Sequence, residues 1–250
     1  MTRFRLLIEY HGASYSGWQF QPDRPSVQGA LQAALASIGE PGRTVYGAGR
    51  TDAGVHALAQ VAHVDVVKDW SGFDLANAMN AGLKGERVAV LKAEPVPAQW
   101  HARFSAMARA YVYRIVSRRA PLTLEKGLAW NVKVPLDLDA MNAAAARLVG
   151  LHDFTTFRST ECQSASPVKT LDILRAREAG GVITVEAEAR SFLHNQVRSM
   201  VGALEWVGRA KWTPDDVSRA LEARDRTACA PVAPAHGLYL SRVDYPTDIR

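Results

Sequence analysis

Tyr46-Gly47-Ala48-Gly49-Arg50-Thr51-Asp52-Ala53-Gly54-Val55-His56 is the stretch whose reading decides the rest of the chain. Three glycines surround one acid, Asp52, with Arg50 two residues before it and His56 four after. Glycine lets a backbone take positive φ or lie close to a ligand. A carboxylate in such a loop can be presented at a surface instead of being buried in a regular element. Asp also bonds its own backbone in tight turns, and for an isolated Gly-rich turn that plainer role is the better reading. The rest of the chain reverses the preference.

Upstream, residues 3–10 alternate as a strand, with Phe4, Leu6 and Ile8 on one face. The loop at 10–22 carries Tyr10, Tyr15, Trp18, Phe20 and two glutamines. Its aromatics either tuck into the core or meet a ligand, and the residues alone do not choose. Pro25 and Ser26 open a helix with Ser26 as N-cap. Val27, Leu31, Ala34, Leu35 and Ile38 recur at helical spacing, and Gly39 ends it. A short strand near 43–46 leads into the Asp52 loop. Downstream, Leu58, Ala62, Val64 and Val66 form a buried stripe with Gln60 on the same side, and His63 and Asp65 opposite. A helix at about 73–82 and a strand at 87–93 follow. This order predicts an α/β sandwich with helices on one sheet face.

Pro95 and Pro97 mark a seam, after which His101-Ala102-Arg103-Phe104-Ser105-Ala106 leads to a strand at 109–117. Alternation puts Arg109, Tyr111, Tyr113 and Ile115 on one face. The tyrosines are either cross-strand packing or a platform on which bases stack. Asp137 or Asp139 starts a helix through Leu148, ended by Gly150. A loop from His152-Asp153-Phe154 to Pro167 precedes strands at 168–177 and 182–190. A helix at 194–208 has Val197, Val201 and Leu204 as its core stripe, with His194, Arg198 and Gly202 on a neighbouring face. Gly202 inside a helix costs about 1 kcal/mol against Ala, which a close backbone approach would explain. Thr213 caps a last helix with Pro214 at its first position, then Asp215 and Asp216. Leu238, Leu240 and Val243 close the chain as a strand. The two halves are alike in element order.

The chain has 250 residues, 48% hydrophobic and 22% charged, enough to bury a core without covalent staples. Its net charge of +5 favours a polyanionic partner, nucleic acid first. Two cysteines, Cys162 and Cys229, show no CxxC spacing, which argues against a disulfide framework or a thiolate zinc site. Seven histidines without HExxH spacing give a metal site no support. The first ten residues read as a strand with charges inside it, not a signal peptide, and no apolar run approaches a membrane span. The expected location is the cytoplasm.

With these residues in hand, the chain resembles the tRNA pseudouridine synthases of the TruA type nearly end to end. Tyr15-x-Gly17-Trp18-Gln19-x-Gln21 and Gly49-Arg50-Thr51-Asp52-Ala53-Gly54-Val55-His56-Ala57 carry the likeness. His101 to Ala106, Arg109-x-Tyr111-x-Tyr113, His152-Asp153-Phe154 and Val197-Arg198-x-x-Val201-Gly202 follow in the family's order. The Asp52 motif is the most specific of them. His11 stands where the family usually has an acid and Ala59 where it often has a glycine, departures that bear on substrate contacts and not on the chemistry.

The resemblance implies an α/β (α+β) fold of two similar domains, residues 1–105 and 106–250. Each would be a mainly antiparallel sheet with helices on one face, with a catalytic cleft between them. It implies a homodimer that isomerises uridine to pseudouridine at positions 38, 39 and 40 of the tRNA anticodon stem-loop, with no cofactor. The glycosidic carbon–nitrogen bond breaks, the uracil turns, and it rejoins through a carbon–carbon bond.

The chemistry needs a nucleophile that can also leave, and a carboxylate does both. Aspartate, with an ordinary pKa of about 3.9, is ionised at neutral pH without a separate base. Asp52 matches the family's catalytic acid. Arg198 matches the arginine that keeps such an acid charged in a closed pocket; by position alone it would be a solvated helix charge. Tyr111 matches the tyrosine that packs on the target uracil and can help remove its carbon-bound proton, while Tyr113 reads as core. Extracting a base costs a few kcal/mol, and one stacking contact returns about 1–3 kcal/mol. Tyr111 alone therefore barely balances flipping, and Arg50 is the candidate to fill the vacated space.

Two other readings need different features. A non-catalytic RNA-binding α/β module has no use for Asp52. A phosphate-binding enzyme built on Gly47-Ala48-Gly49 would start a helix there and carry a P-loop lysine, whereas an arginine, a carboxylate and a strand pattern follow. The basic residues Arg103, Arg109, Arg114, Arg118, Arg119, Lys169, Arg190 and Arg198 are dispersed. Such charge can still line a surface for folded RNA, read by shape and phosphate positions. If it does, tRNA affinity falls steeply as salt rises. Filter binding across a salt series measures the slope, and a flat line removes the electrostatic account.

Overall fold

The computed structural model describes residues 1–246. The chain forms two compact units, one of Met1–Met107 with the stretch from Tyr239 on, the other Ala108–Leu238. The second is therefore inserted between two strands of the first.

In the first unit β1 (Thr2–Tyr10) leads to α1 (Val27–Ser37), β2 (Tyr46–Gly47), β3 (His56–Val66), α2 (Gly72–Gly82) and β4 (Val88–Val96). β1 lies between β3 and β4, antiparallel to both, and β2 pairs antiparallel with β3. The chain's last strand, Leu238–Asp244, runs parallel to β3 and matches Tyr239 with His56. Ser26 caps α1 by accepting from the Gly29 N–H, and Ser71 caps α2 through Asp74. Phe4, Leu6, Ile8, Ala62, Val64 and Val66 are fully buried, as are Leu31, Leu35, Leu75 and Met79 of the helices. These make the core between the sheet and its helical layer.

Two expectations need correcting here. Leu58 is exposed, so the buried stripe of β3 begins at Gln60. The β1–β3 register shifts between Ile8 and Tyr10; a bulge breaks the two-residue period and turns the neighbouring side chain to the other face. Pro95 lies inside β4 instead of marking its end. In this sheet β4 pairs with β1 alone, so a missing N–H on its outer side costs no ladder bond.

The second unit is built from β5 (Ala108–Ser117), β6 (Trp130–Val132), α3 (Leu138–Ala146), β7 (Gly150–Asp153), β8 (Val168–Ala179), β9 (Val182–Ala189), α4 (Gln196–Gly208) and α5 (Pro214–Ala223). The closing strand Leu238–Asp244 is β10. β5, β9, β8 and β7 are antiparallel neighbours in that order, with β6 parallel to β5. Alternate residues of β9, Ile183, Val185, Ala187 and Ala189, are buried. So are Met141, Ala144 and Ala145 of α3 and Met200, Val201 and Leu204 of α4. Thr213 and Asp216 complete a reciprocal capping box at α5. The strands β6 and β7, three and four residues long, leave too little alternation to read. α3 stops at Ala146, and Gly150, at φ +111°, opens β7 instead of ending the helix. His194 precedes α4 and so does not share its face with Arg198.

On the face of the first sheet turned from the helices, Arg3 binds both Asp65 carboxylate oxygens at 2.8 Å and donates to the Trp100 carbonyl. His63 is buried beneath residues 100–104, and its Nδ1 accepts from the Ala102 N–H at 3.2 Å. Burial, with the charges of His101 and Arg3 adding, pushes the His63 imidazole down to about 4. An unfolded histidine titrates near 6.5. The unfolded chain thus binds the proton first as pH falls. The stability is whole above about 6.5 and is lost progressively toward about 4, by about 3 kcal/mol at most. His63→Asn, which offers Oδ1 where Nδ1 accepts, flattens that acid loss in urea unfolding followed across pH. An unchanged slope assigns it to other groups.

Candidate active site

The Asp52 loop leaves β2 and enters β3, and the chain fastens it from both sides. The Ala48 N–H donates to the Val61 carbonyl at 2.7 Å, and Gln60 Nε2 to the Gly49 carbonyl at 2.9 Å. The Trp18 N–H donates to the Thr51 carbonyl at 3.0 Å. The Thr51 hydroxyl and the Tyr10 phenol share a hydrogen at 2.7 Å, with Gln60 Nε2 at 3.5 Å from the same phenol. The Val55 N–H closes the turn on the Asp52 carbonyl at 3.1 Å, with Gly54 at φ +79°. Past the turn, His56 Nδ1 accepts from the Gly12 N–H at 3.0 Å while its ring stacks on Tyr239.

The close fit explains two small residues. A Cβ on Gly12 would stand 2.0 Å from the Val55 carbonyl oxygen, and one on Gly47 2.6 Å from the Trp18 ring. The aromatic loop at 10–22 is thereby resolved. Tyr10 and Trp18 are buried against the Asp52 loop, Tyr15 is buried with its phenol donating to Glu86, and only Phe20 of the four is exposed. Burial pushes the Tyr10 phenol up to about 12, so it stays neutral and serves as a hydrogen-bonding strut. Thr51, Val55 and His56 are buried, Asp52 is half-buried and Arg50 is exposed. The result is a rigid turn that leaves its acid within reach of solvent.

Burial, with the charge of Arg87 adding, pushes the His11 imidazole below its ordinary value. The His11 ring packs edge-on against His56 at 4.5 Å. An uncharged ring therefore stands at the position where the resemblance leads one to expect an acid.

Tyr111 and Arg198 belong to the second unit. Tyr111 sits mid-strand in β5 opposite Ala187, half-buried, its ring edge-on to Phe192 at 5.3 Å. Tyr113 on the same face is fully buried and donates to the Pro234 carbonyl at 2.8 Å, the core role expected of it. Burial pushes its phenol well above the ordinary range, with the nearby Arg198 charge opposing. Arg198 lies in the first turn of α4, half-buried, its Nε on the Ala233 carbonyl and its Nη1 on Asn195 Oδ1, at 2.8 and 2.9 Å. Asn195 caps the helix in the left-handed region, at φ 63°, which Asn tolerates better than most residues. The Ala233 N–H returns a bond to the Arg198 carbonyl, and a Cβ on Gly202 would stand 1.9 Å from the Pro231 carbonyl oxygen. Gly202 thus admits the 231–233 segment that holds the guanidinium, the close approach its place in a helix suggested.

Asp52 and Arg50 therefore share one loop, Tyr111 and Arg198 one unit. Sequence reasoning left the supports unassigned. Tyr10, Thr51, Gln60 and His56 stand in or beside the quoted motifs, but their bonds span up to fifty positions and have no sequence period. Asn195, three residues before Arg198, carried a readable signal as an N-cap residue type. No group of three or more His, Cys, Asp or Glu among the described residues could hold a metal ion.

The sequence profile of a family described as tRNA pseudouridine synthase matches residues 6–105 and 144–246. The chain is 56% identical over 247 residues to tRNA pseudouridine synthase A of Rhizobium meliloti (strain 1021), covering 98% of this chain and all of that one. It is 58% identical over 246 residues to the protein of the same name from Rhodopseudomonas palustris (strain HaA2), with 98% and 100% covered. Against that of Caulobacter sp. (strain K31) it is 57% identical over 245 residues, 98% of each.

The Tyr10–Thr51 bond predicts a coupled pair. Tyr10→Phe leaves the buried Thr51 hydroxyl without its partner and costs about 1–3 kcal/mol in denaturant unfolding. Tyr10→Phe with Thr51→Val removes both polar ends and loses less than the sum of the single variants. Additive losses would show that the bond does not couple the loop to the strand.

Proposed function

The chain belongs to the tRNA pseudouridine synthase family, and from that premise we propose that Asp52 is the nucleophile of a cofactor-free isomerisation of uridine in the tRNA anticodon stem-loop. The protein is an isomerase that makes pseudouridine in tRNA. The bond between the sugar carbon and N1 breaks, and the same sugar carbon bonds C5. The proton on C5 leaves and N1 ends with a proton, so the product has the substrate's composition and no electrons are exchanged with a cofactor.

In this reading Asp52, from residues 1–105, forms and releases the covalent bond. Arg198, from residues 106–250, keeps the carboxylate charged as water leaves. Tyr111 packs on the uracil and assists removal of the C5 proton. Arg50 occupies the space the flipped nucleotide leaves. The target uridines are those at 38, 39 and 40, and the enzyme works as a homodimer in the cytoplasm. Among the described residues no helix is long and apolar enough to cross a membrane.

The observation that carries the proposal is the fastening of the Asp52 loop. Thr51 before the acid and Val55 and His56 after it are buried and bonded, while the acid itself is half-buried. A nucleophile whose surroundings are fixed before substrate arrives spends less of the reaction's free energy on reorganisation.

Asp52→Asn removes the nucleophile with little change of shape. Pseudouridine formation falls by about 10³-fold or more, while tRNA affinity changes little. Mass-shift labelling of pseudouridine reads the first, filter binding the second. Turnover that survives the substitution removes Asp52 from the role, whereas an unmodified protein that binds tRNA and makes no pseudouridine makes the RNA-binding module the better reading.

A further inference from the structure

His101-Ala102-Arg103-Phe104 is a motif that the isomerisation leaves without a task. In the first unit its rings join those of two strands. Tyr46 of β2 stacks on His63 of β3 at 5.0 Å and 16°. His63 meets His101 edge-on at 4.5 Å, and His101 packs on Phe104 at 4.4 Å. His63 is the buried base of this group. Phe104 and Tyr46 are its outer members, 74% and 49% exposed. The Arg103 guanidinium lies 5.7 Å from the Phe104 ring centre.

Exposed rings of this size in a well-bonded setting call for an explanation. Flexibility does not supply one. His101 Nδ1 faces the Arg103 and Phe104 N–H groups at 3.1 and 3.4 Å, and the His101 N–H donates to Ser105 Oγ at 3.0 Å. Tyr245 donates to the Ala102 carbonyl at 2.6 Å, and Arg3 holds the Trp100 carbonyl. The rings are therefore displayed on a fixed frame, which lowers the entropy lost when a flat partner lands on them.

We propose that Tyr46, His101 and Phe104, with Arg103 beside them, form a second RNA contact that stacks on unpaired bases of the tRNA near the reacting uridine. Three features favour RNA over a protein partner. The surface is made of flat rings with a guanidinium at its rim, the combination that holds unstacked bases and the adjoining phosphates. Its histidines are uncharged, His101 being lowered by burial first and then by Arg3 and Arg103, so the stack needs no protonation. It also continues along the β3 edge into the Asp52 loop. Tyr46 pairs with His63, Gly47 with Ala62, and the Gly49 carbonyl with the Gln60 side chain. Three residues of chain separate Tyr46 from Gly49, roughly 10 Å when fully extended, within the span of a few nucleotides.

The inference rests on tRNA being the substrate, and the test separates the two claims. tRNA affinity is measured by filter binding at fixed salt for the unmodified protein, Tyr46→Leu, Phe104→Leu, Tyr46→Phe and Phe104→Tyr. Leucine keeps apolar bulk and removes the flat π-face. The proposal expects both leucine variants to bind roughly 5- to 100-fold more weakly and both aromatic exchanges to bind as the unmodified protein does. Equal affinity for all five overturns the stacking contact and leaves the enzyme assignment intact. No tRNA binding by the unmodified protein overturns the assignment itself. Leucine variants that keep tRNA affinity but change the sedimentation of the free protein would make the surface a protein–protein contact, which also overturns the proposal.

Discussion

A short hydrogen bond between the Tyr10 phenol and the Thr51 hydroxyl, 2.7 Å long and closed to water, is the constraint on which the first unit's chemistry depends. A loop that must offer a carboxylate cannot bury that carboxylate, so its order has to come from the residues on either side. Thr51 supplies a hydroxyl to Tyr10 and a carbonyl to Trp18, and Gly49 a carbonyl to Gln60. Tyr10 and Gln60 belong to strands of the sheet, and Trp18 is tied to the start of α1, its carbonyl accepting from the Gln28 N–H at 3.0 Å. The rigidity of the sheet is passed to the turn by ordinary polar bonds, stronger for being buried.

The second unit solves the same problem differently. Arg198 is long and would wander if it faced water alone. Asn195, forced into a left-handed backbone at the start of α4, holds one end of the guanidinium, and the Ala233 carbonyl holds another. Gly202 makes room for the segment that brings this carbonyl close. An α-helix that begins on a strained residue and carries a glycine inside gives up some stability for the aim of one side chain.

How much of this was legible depends on whether a feature has a period. The strands at 3–10 and 58–66, the helix capped by Ser26 and the capping box at Thr213 all follow from local spacing and cap chemistry. Leu58 misled because the extra residue of the bulge lies in β3 itself, where three residue steps from Ala57 to Gln60 face two of β1, and only the pairing shows which residue is extra. Pro95 misled because its meaning depends on whether the strand is an edge, which is a fact about neighbours. The place of Trp18 depends on Gly47 lying against its ring, a fact of space that no local spacing carries. The Asp52 motif was legible as a motif, since glycines around an acid are a local pattern. The bonds that make it a usable site join residues ten to fifty positions apart and could not be seen locally.

The insertion of the second unit sets an order of construction. β1 to β4 leave the ribosome before residues 108–238, yet the stretch of β3 at His56 and Ala57 pairs with Tyr239 and Leu240, which leave after them. Until then that backbone is a bare template open to the wrong neighbour. The unit begun before the other is also finished after it, and the nascent chain must be kept from sticking to its neighbours for the whole interval.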